Sequence, residues 1–183
     1  MSAADDRMQA DHDEMYSRHG LPAFAADWVT DRVLAGPTCM SALDIHRLVH
    51  DHGITHILDL REPDEWCNPG LGQDAVDAIG THDVVRLNVC VRDGSPPTLE
   101  QLDDAVSFIA DAVADPDSRV FVHCRGGQER TATVLVAWYA REHRMDYDSA
   151  LEELRTRRRV LRPTRGQEAV AREWIATRGD SSS

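Results

Sequence analysis

A chain of 183 residues has room for one ordinary α/β domain and a modest core, with little left for a second. Its formal net charge of −12 argues against general nucleic-acid or anionic-membrane binding, and no apolar run approaches membrane-spanning length. All 20 basic side chains are arginine, many of them between Arg125 and Arg172, so a locally basic mouth on an acidic body is expected.

Residues 1–22 are rich in Asp, His and Ser and have no sustained periodicity, which predicts a flexible acidic leader before a domain at 23–178. Trp28 to Gly36 reads as a short strand anchored by Trp28, with a turn at Pro37. Ser41 is the expected N-cap of a helix to about His52, and Gly53 its stop. The β-branched run Ile54 to Leu60 predicts a buried strand. Leu60 to Gly72, with two prolines and two glycines, predicts a loop at that strand's C-terminal end. Arg61 there is a candidate substrate contact; the competing reading is a solvated loop with Asp64 or Glu65 capping a turn.

A weak helix is expected at Gln73 to Ile79 and a strand at Val84 to Val91. The strand runs into RDGSPPT, where Asp93 leaves the sheet on a Gly/Ser/Pro-rich segment. A mobile carboxylic acid at such a place can protonate a departing oxygen, whereas the alternative is a plain Asp-Gly turn. From Thr98 the apolar positions Leu99, Leu102, Val106, Ile109 and Val113 predict an amphipathic helix capped by Thr98 and ending near Ala114. Asp115 to Asp117 then turn the chain.

Val120 to Ala140 is the stretch that carries chemistry. It reads as a buried strand at Val120 to Val122, a tight loop from Cys124 to Arg130, and an apolar helix from about Thr131. Such a turn into a helix collects N–H donors and partial positive charge around one point, which suits a phosphate-sized anion. Gly126 and Gly127 let the backbone curl inward, and Arg130 adds a planar, permanently charged fork. The same field favours the thiolate of Cys124. Thr131 is placed to donate its hydroxyl to that sulfur, and His123 to orient the loop from the strand.

At these residues the chain resembles the cysteine-dependent protein phosphatases: HCRGGQERT matches their HCxxGxxR[ST] signature at every fixed position, and the short length is similar to the dual-specificity and small single-domain tyrosine phosphatases. The resemblance implies that Cys124 attacks phosphorus and Arg130 holds the phosphoryl group. It further implies that the backbone of Arg125, Gly126, Gly127, Gln128, Glu129 and Arg130 binds phosphate oxygens and that Asp93 is the acid. Glu129 departs from the small residue often found there. The resemblance also suggests that Gln167, in PTRGQ, positions a hydrolytic water; a helix-surface glutamine is the alternative. No metal or cofactor is called for.

Two further helices are expected, Tyr147 to about Arg158 and Gly166 to Arg178, with Arg157, Arg158 and Arg159 as a solvated helix end or a phosphosubstrate contact. A disordered tail follows at 179–183. Cys39, Cys67, Cys90 and Cys124 lie far apart, with no CxxC pair and no histidine partner at zinc-ligand spacing, so neither a disulfide framework nor a structural metal is expected. Cys67 or Cys90 is a candidate partner for reversible oxidation of Cys124. The resulting expectation is an α/β domain with a mostly parallel sheet of four to five strands, helices on both faces and the tyrosine-phosphatase fold. Its function is phosphomonoester hydrolysis, by a cytoplasmic monomer acting on a phosphorylated protein or small phosphoester, with no nucleic-acid or membrane partner. The rivals are a silent phosphate-binding module, a phosphoinositide phosphatase and a rhodanese-type sulfurtransferase.

Overall fold

A computed structural model describes residues 14, 17, 24–66 and 72–178. Most of the expected leader, the tail at 179–183 and Cys67 lie outside these residues. Among the described residues five strands form one sheet in the order β1-β2-β5-β3-β4: β1 (Asp27–Trp28), β2 (Val33–Gly36), β3 (His56–Asp59), β4 (Val85–Asn88) and β5 (Val120–His123). Only β1 is antiparallel, to β2; the pairs β2–β5, β5–β3 and β3–β4 are parallel. The sheet is thus the expected mostly parallel one, with β5 at its centre.

Alternation along the strands separates two apolar layers. Val33, Ala35, Leu58, Val120 and Val122 pack with the helices α3 (Leu99–Ala114), α4 (Glu129–His143), α5 (Tyr147–Arg157) and α6 (Arg165–Arg178). Leu34, Ile57 and Phe121 point the other way, onto α1 (Ala42–His50) and α2 (Gln73–Ile79). Two helices start where their caps predict. Ser41 accepts from the N–H of Asp44 while the Asp44 carboxylate accepts from the N–H of Ser41, and Thr98 and Gln101 exchange the same pair of bonds.

The segment Trp28 to Gly36 is a hairpin rather than one strand. The Thr30 hydroxyl accepts from the N–H groups of Arg32 and Val33 and folds the chain back, so Trp28 pairs with Leu34. Helix α4 begins at Glu129, two residues before the expected Thr131, which draws the end of the Cys124 loop into the helix itself. Among the described residues no helix is long and apolar enough to cross a membrane.

Parallel pairing places the C-terminal ends of β2, β5 and β3 side by side, with Gly36 and Asp59 both opposite His123. The next residue is Cys124. The loop it begins therefore emerges at the sheet edge where ligands of parallel α/β folds gather.

Candidate active site

The loop from Cys124 to Gln128 is held from outside through its carbonyl groups. The Arg125 carbonyl accepts from the Thr38 N–H at 3.0 Å, the Gly127 carbonyl from Arg158 Nε at 3.1 Å and the Gln128 carbonyl from the Arg162 N–H at 3.3 Å. In a trans peptide the N–H points opposite to the C=O, so pinning these carbonyls outward turns the following N–H groups to the inner side of the loop. Gly127 has φ +63°, and a Cβ there would sit 2.2 Å from the Gly36 carbonyl oxygen. No other residue lets the loop lie this close to β2. The Gln128 side chain makes no capping bond at the head of α4, so the first-turn donors remain free for an anion.

Cys124 is buried, and Arg130, the second residue of α4, is almost fully buried. The guanidinium is fixed by a residue that sequence reasoning treated only as a turn cap. Glu65, in a 3₁₀ turn at Pro63–Glu65, takes Arg130 Nη1 at 2.6 Å and Nη2 at 2.8 Å in a bidentate pair. Nη1 also reaches the Val91 carbonyl at 2.9 Å and the Leu60 carbonyl at 3.3 Å. Arg130 Nε is buried and has no partner among the described residues, as is the Thr131 hydroxyl. Both donors belong to the helix head that carries the Cys124 loop. Burial works against both charges of the pair, yet their mutual hydrogen bonds prevail: the Glu65 carboxyl is held below the usual carboxylate range and the Arg130 guanidinium is pushed further up.

Asp93 is exposed and its Oδ1 lies 2.8 Å from Arg130 Nη2. It is also an Asp-Gly turn residue: Gly94 has φ +70° and the Ser95 N–H bonds back to the Arg92 carbonyl. The two readings of this residue are compatible, because the turn is what presents the carboxylate to Arg130. Glu62 accepts from the Asp93 N–H at 3.2 Å, so the 62–65 segment secures both Arg130 and the Asp93 turn.

Gln167 is fully buried, which rules out a surface glutamine. Its Nε2 donates to the Ser95 carbonyl at 3.1 Å, and its Oε1 accepts from the Thr164 N–H at 2.9 Å. It ties the start of α6 to the Asp93 turn.

Two readings of the site's surroundings change. Arg61 does not face outward; it is buried and forks onto Asp59 at 2.8 and 2.7 Å, where Arg86 adds a third contact at 2.7 Å. Arg158 is neither solvated nor free for substrate: besides Gly127 it holds the Ala25 carbonyl and the Asp27 carboxylate. Cys90 is exposed and its thiol donates to Asn88 Oδ1, with desolvation and the neighbouring Asp59 carboxylate raising its pKa above that of a free thiol. Cys39, Cys90 and Cys124 are all free thiols. Arg125 is exposed, Glu129 half-buried.

His123 backs the loop from β5. Its ring stacks on Phe121 at 5.1 Å, Nδ1 lies 3.3 Å from the Cys124 carbonyl oxygen and Nε2 3.8 Å from Asp59 Oδ1. Burial outweighs the pull of Asp59 and lowers its pKa to about 4, so the ring is neutral at physiological pH. Asp59 stays ionised despite burial, held by the guanidinium groups of Arg61 and Arg86.

A parallel sheet that delivers a cysteine to the head of a buried helix, with that helix's arginine beside it, is the architecture of the cysteine-dependent phosphatases. More narrowly, residues 39–175 match the family described as dual specificity phosphatase, catalytic domain, and the chain belongs to that family. It is 40% identical over 60 residues to dual specificity protein phosphatase 1 of Mus musculus, which covers 33% of this chain but only 16% of that relative's length. The fold is similar to that of Tk-PTP in the active form, with TM-score 0.72, 24% identity, and coverage of 83% of this chain and 97% of that one. It is also similar to PTPMT1 in complex with PI(5)P, with TM-score 0.69, 24% identity, and coverage of 81% and 92%.

Proposed function

We propose that the chain hydrolyses phosphomonoesters of phosphorylated proteins through a phosphocysteine intermediate. The observation that carries this reading is the Arg130 guanidinium. It is locked bidentately by Glu65, with its Nε buried and without a partner at the head of the helix that carries the Cys124 loop. A buried donor held that way attracts an oxyanion, and preorganised donors of this kind act most strongly on the charge of the transition state.

In the first step the Cys124 sulfur attacks phosphorus in line; an S–P bond forms and the P–O bond to the leaving group breaks. Asp93 passes a proton to the departing oxygen. The inward amides from Arg125 to Arg130 and the Arg130 guanidinium take the equatorial oxygens, and the Thr131 hydroxyl donates to the sulfur. In the second step water attacks phosphorus, Asp93 accepts its proton, the S–P bond breaks and inorganic phosphate leaves. Gln167 serves by holding the Asp93 turn in place, and His123 by setting the strand end behind Cys124. Glu129, at the first position of α4, bears on substrate choice rather than on the chemistry.

The net charge of −12 and a reactive thiol support a monomer working in the reducing cytoplasm without nucleic-acid or membrane partners. Steady-state hydrolysis of an aryl phosphate, with Cys124→Ser as control, tests the activity. A panel of phosphotyrosine and phosphothreonine peptides and phosphoinositides tests the substrate class. Turnover on phosphoinositides alone overturns the protein-substrate reading, and tight vanadate binding without turnover makes the chain a phosphate-binding module.

A further inference from the structure

Away from the Cys124 loop, three histidines converge on the α1–α2 side of the sheet. His46 and His50 are one turn apart on the exposed face of α1, and His82 lies in the turn between α2 and β4. Residues at i and i+4 share one helix face, so both rings stand together. Their centroids are 4.3 Å apart, and the His82 ring lies 5.5 Å from His50 and 6.3 Å from His46. The three offer one ring nitrogen each, and these atoms all lie within 4.8 Å of one another.

A tetrahedral zinc ion with bonds of about 2.0–2.1 Å needs its nitrogen ligands about 3.3 Å apart. The rings must therefore close by roughly 1.5 Å at most, a movement that rotation of exposed side chains supplies. The backbone is already set. α1 is a regular helix with a capping box, and the His82 N–H donates to the Ile79 carbonyl at 3.1 Å while its own carbonyl accepts from the Val84 N–H at 2.9 Å. Imidazole selects zinc, copper, cobalt and nickel over the hard oxygen-seeking ions.

We propose that His46, His50 and His82 form a binding site for one divalent transition-metal ion of the zinc class, separate from the Cys124 loop. Three nitrogen ligands leave further coordination positions to water, because two of the three side chains are exposed. The ion fastens α1 to the turn that leads into β4. The trio contains no cysteine and its members come from two separate elements, so cysteine spacing in the chain does not announce it.

The test uses the full chain without an affinity tag, carrying Cys124→Ser so that this thiol does not compete for metal. Calorimetric titration with Zn²⁺ alone is expected to show one ion per chain. His46→Ala, His50→Ala and His82→Ala should each weaken binding at least ~10-fold, a loss of the size that disturbing metal-site residues commonly produces. Titration with Co²⁺ should give visible d–d bands without near-ultraviolet thiolate charge transfer, and Zn²⁺ should raise the melting temperature of the parent but not of the His46→Ala/His82→Ala variant. Binding that persists unchanged in the triple-alanine variant, or a thiolate band with Co²⁺, places the ion elsewhere and overturns the proposal. So does the lack of saturable binding below millimolar Zn²⁺.

Discussion

Replacing Glu65 by alanine tests the pair on which the Arg130 geometry depends. The side chains are 1% exposed for Arg130 and 12% for Glu65, joined by bonds of 2.6 and 2.8 Å. Removing one partner of a buried ion pair costs about 3–5 kcal/mol, chiefly by leaving the other charge uncompensated. Asp93 and the carbonyls of Leu60 and Val91 stay on the guanidinium, which puts the loss at the low end, about 3 kcal/mol. For a chain of this size that corresponds to a fall in melting temperature of about 6–12 °C. The loosened guanidinium then no longer presents Nε in one position, and misplacement on the order of 1 Å lowers kcat/KM for an aryl phosphate by about 10²-fold. Glu65→Gln keeps an acceptor without the charge and should fall between the two. Thermal denaturation with and without vanadate, run beside steady-state kinetics, reads both effects. A Glu65→Ala chain with unaltered melting temperature and a kcat/KM within about twofold of the parent would refute the reasoning.

Three other perturbations have signs set by the structure. The buried His123 titrates at about 4 against 6.5 for a free imidazole. The unfolded chain therefore binds the extra proton between those values, and stability falls as pH drops through that window, by about 3 kcal/mol in total. Urea denaturation across it should show that slope, and His123→Asn should flatten it. Glu65 adds a second loss at lower pH, because its folded carboxyl is depressed: its contribution is present above the free carboxyl value and disappears as pH falls through the folded one. Arg158→Ala strands the Gly127 carbonyl, costing about 1–3 kcal/mol, and should weaken vanadate binding measured by competition. Gln167→Ala releases Ser95 and Thr164 together; it should slow poor leaving groups more than activated aryl phosphates, because the Asp93 turn loosens while the Cys124 loop does not.

Local signals in the chain are legible where one short segment contains both partners of an interaction. Ser41 with Asp44 and Thr98 with Gln101 are three residues apart, and their capping boxes start α1 and α3 as expected. The Cys124 loop is legible too, since strand, glycines, arginine and helix follow one another directly, although Thr38, Arg158 and Arg162 hold it from distant parts of the chain. Glu65 and Arg130 are far apart in the chain, and nothing near Glu65 distinguishes a guanidinium anchor from the turn-capping acid that it also is, through its bond to the Glu62 N–H. Arg61 has its partner Asp59 only two residues away, but on β3, where the apolar run ILDL disguises a buried carboxylate. In the arginine run 157–159 only the middle member turns inward, set by the end of α5 and by carbonyls of Ala25 and Gly127 that no spacing in the run announces.

The claim at the centre of the account is a covalent bond between phosphorus and the sulfur of Cys124. Mixing the Asp93→Asn chain with excess aryl phosphate should let that bond accumulate, because the second step lacks its base, and quenching in denaturant at alkaline pH should preserve it. Mass spectrometry of the peptide that contains Cys124 should then show one phosphoryl group, absent from the Cys124→Ser chain. Hydrolysis at the parental rate by Cys124→Ser, or a phosphoryl group on any other residue, would contradict the account.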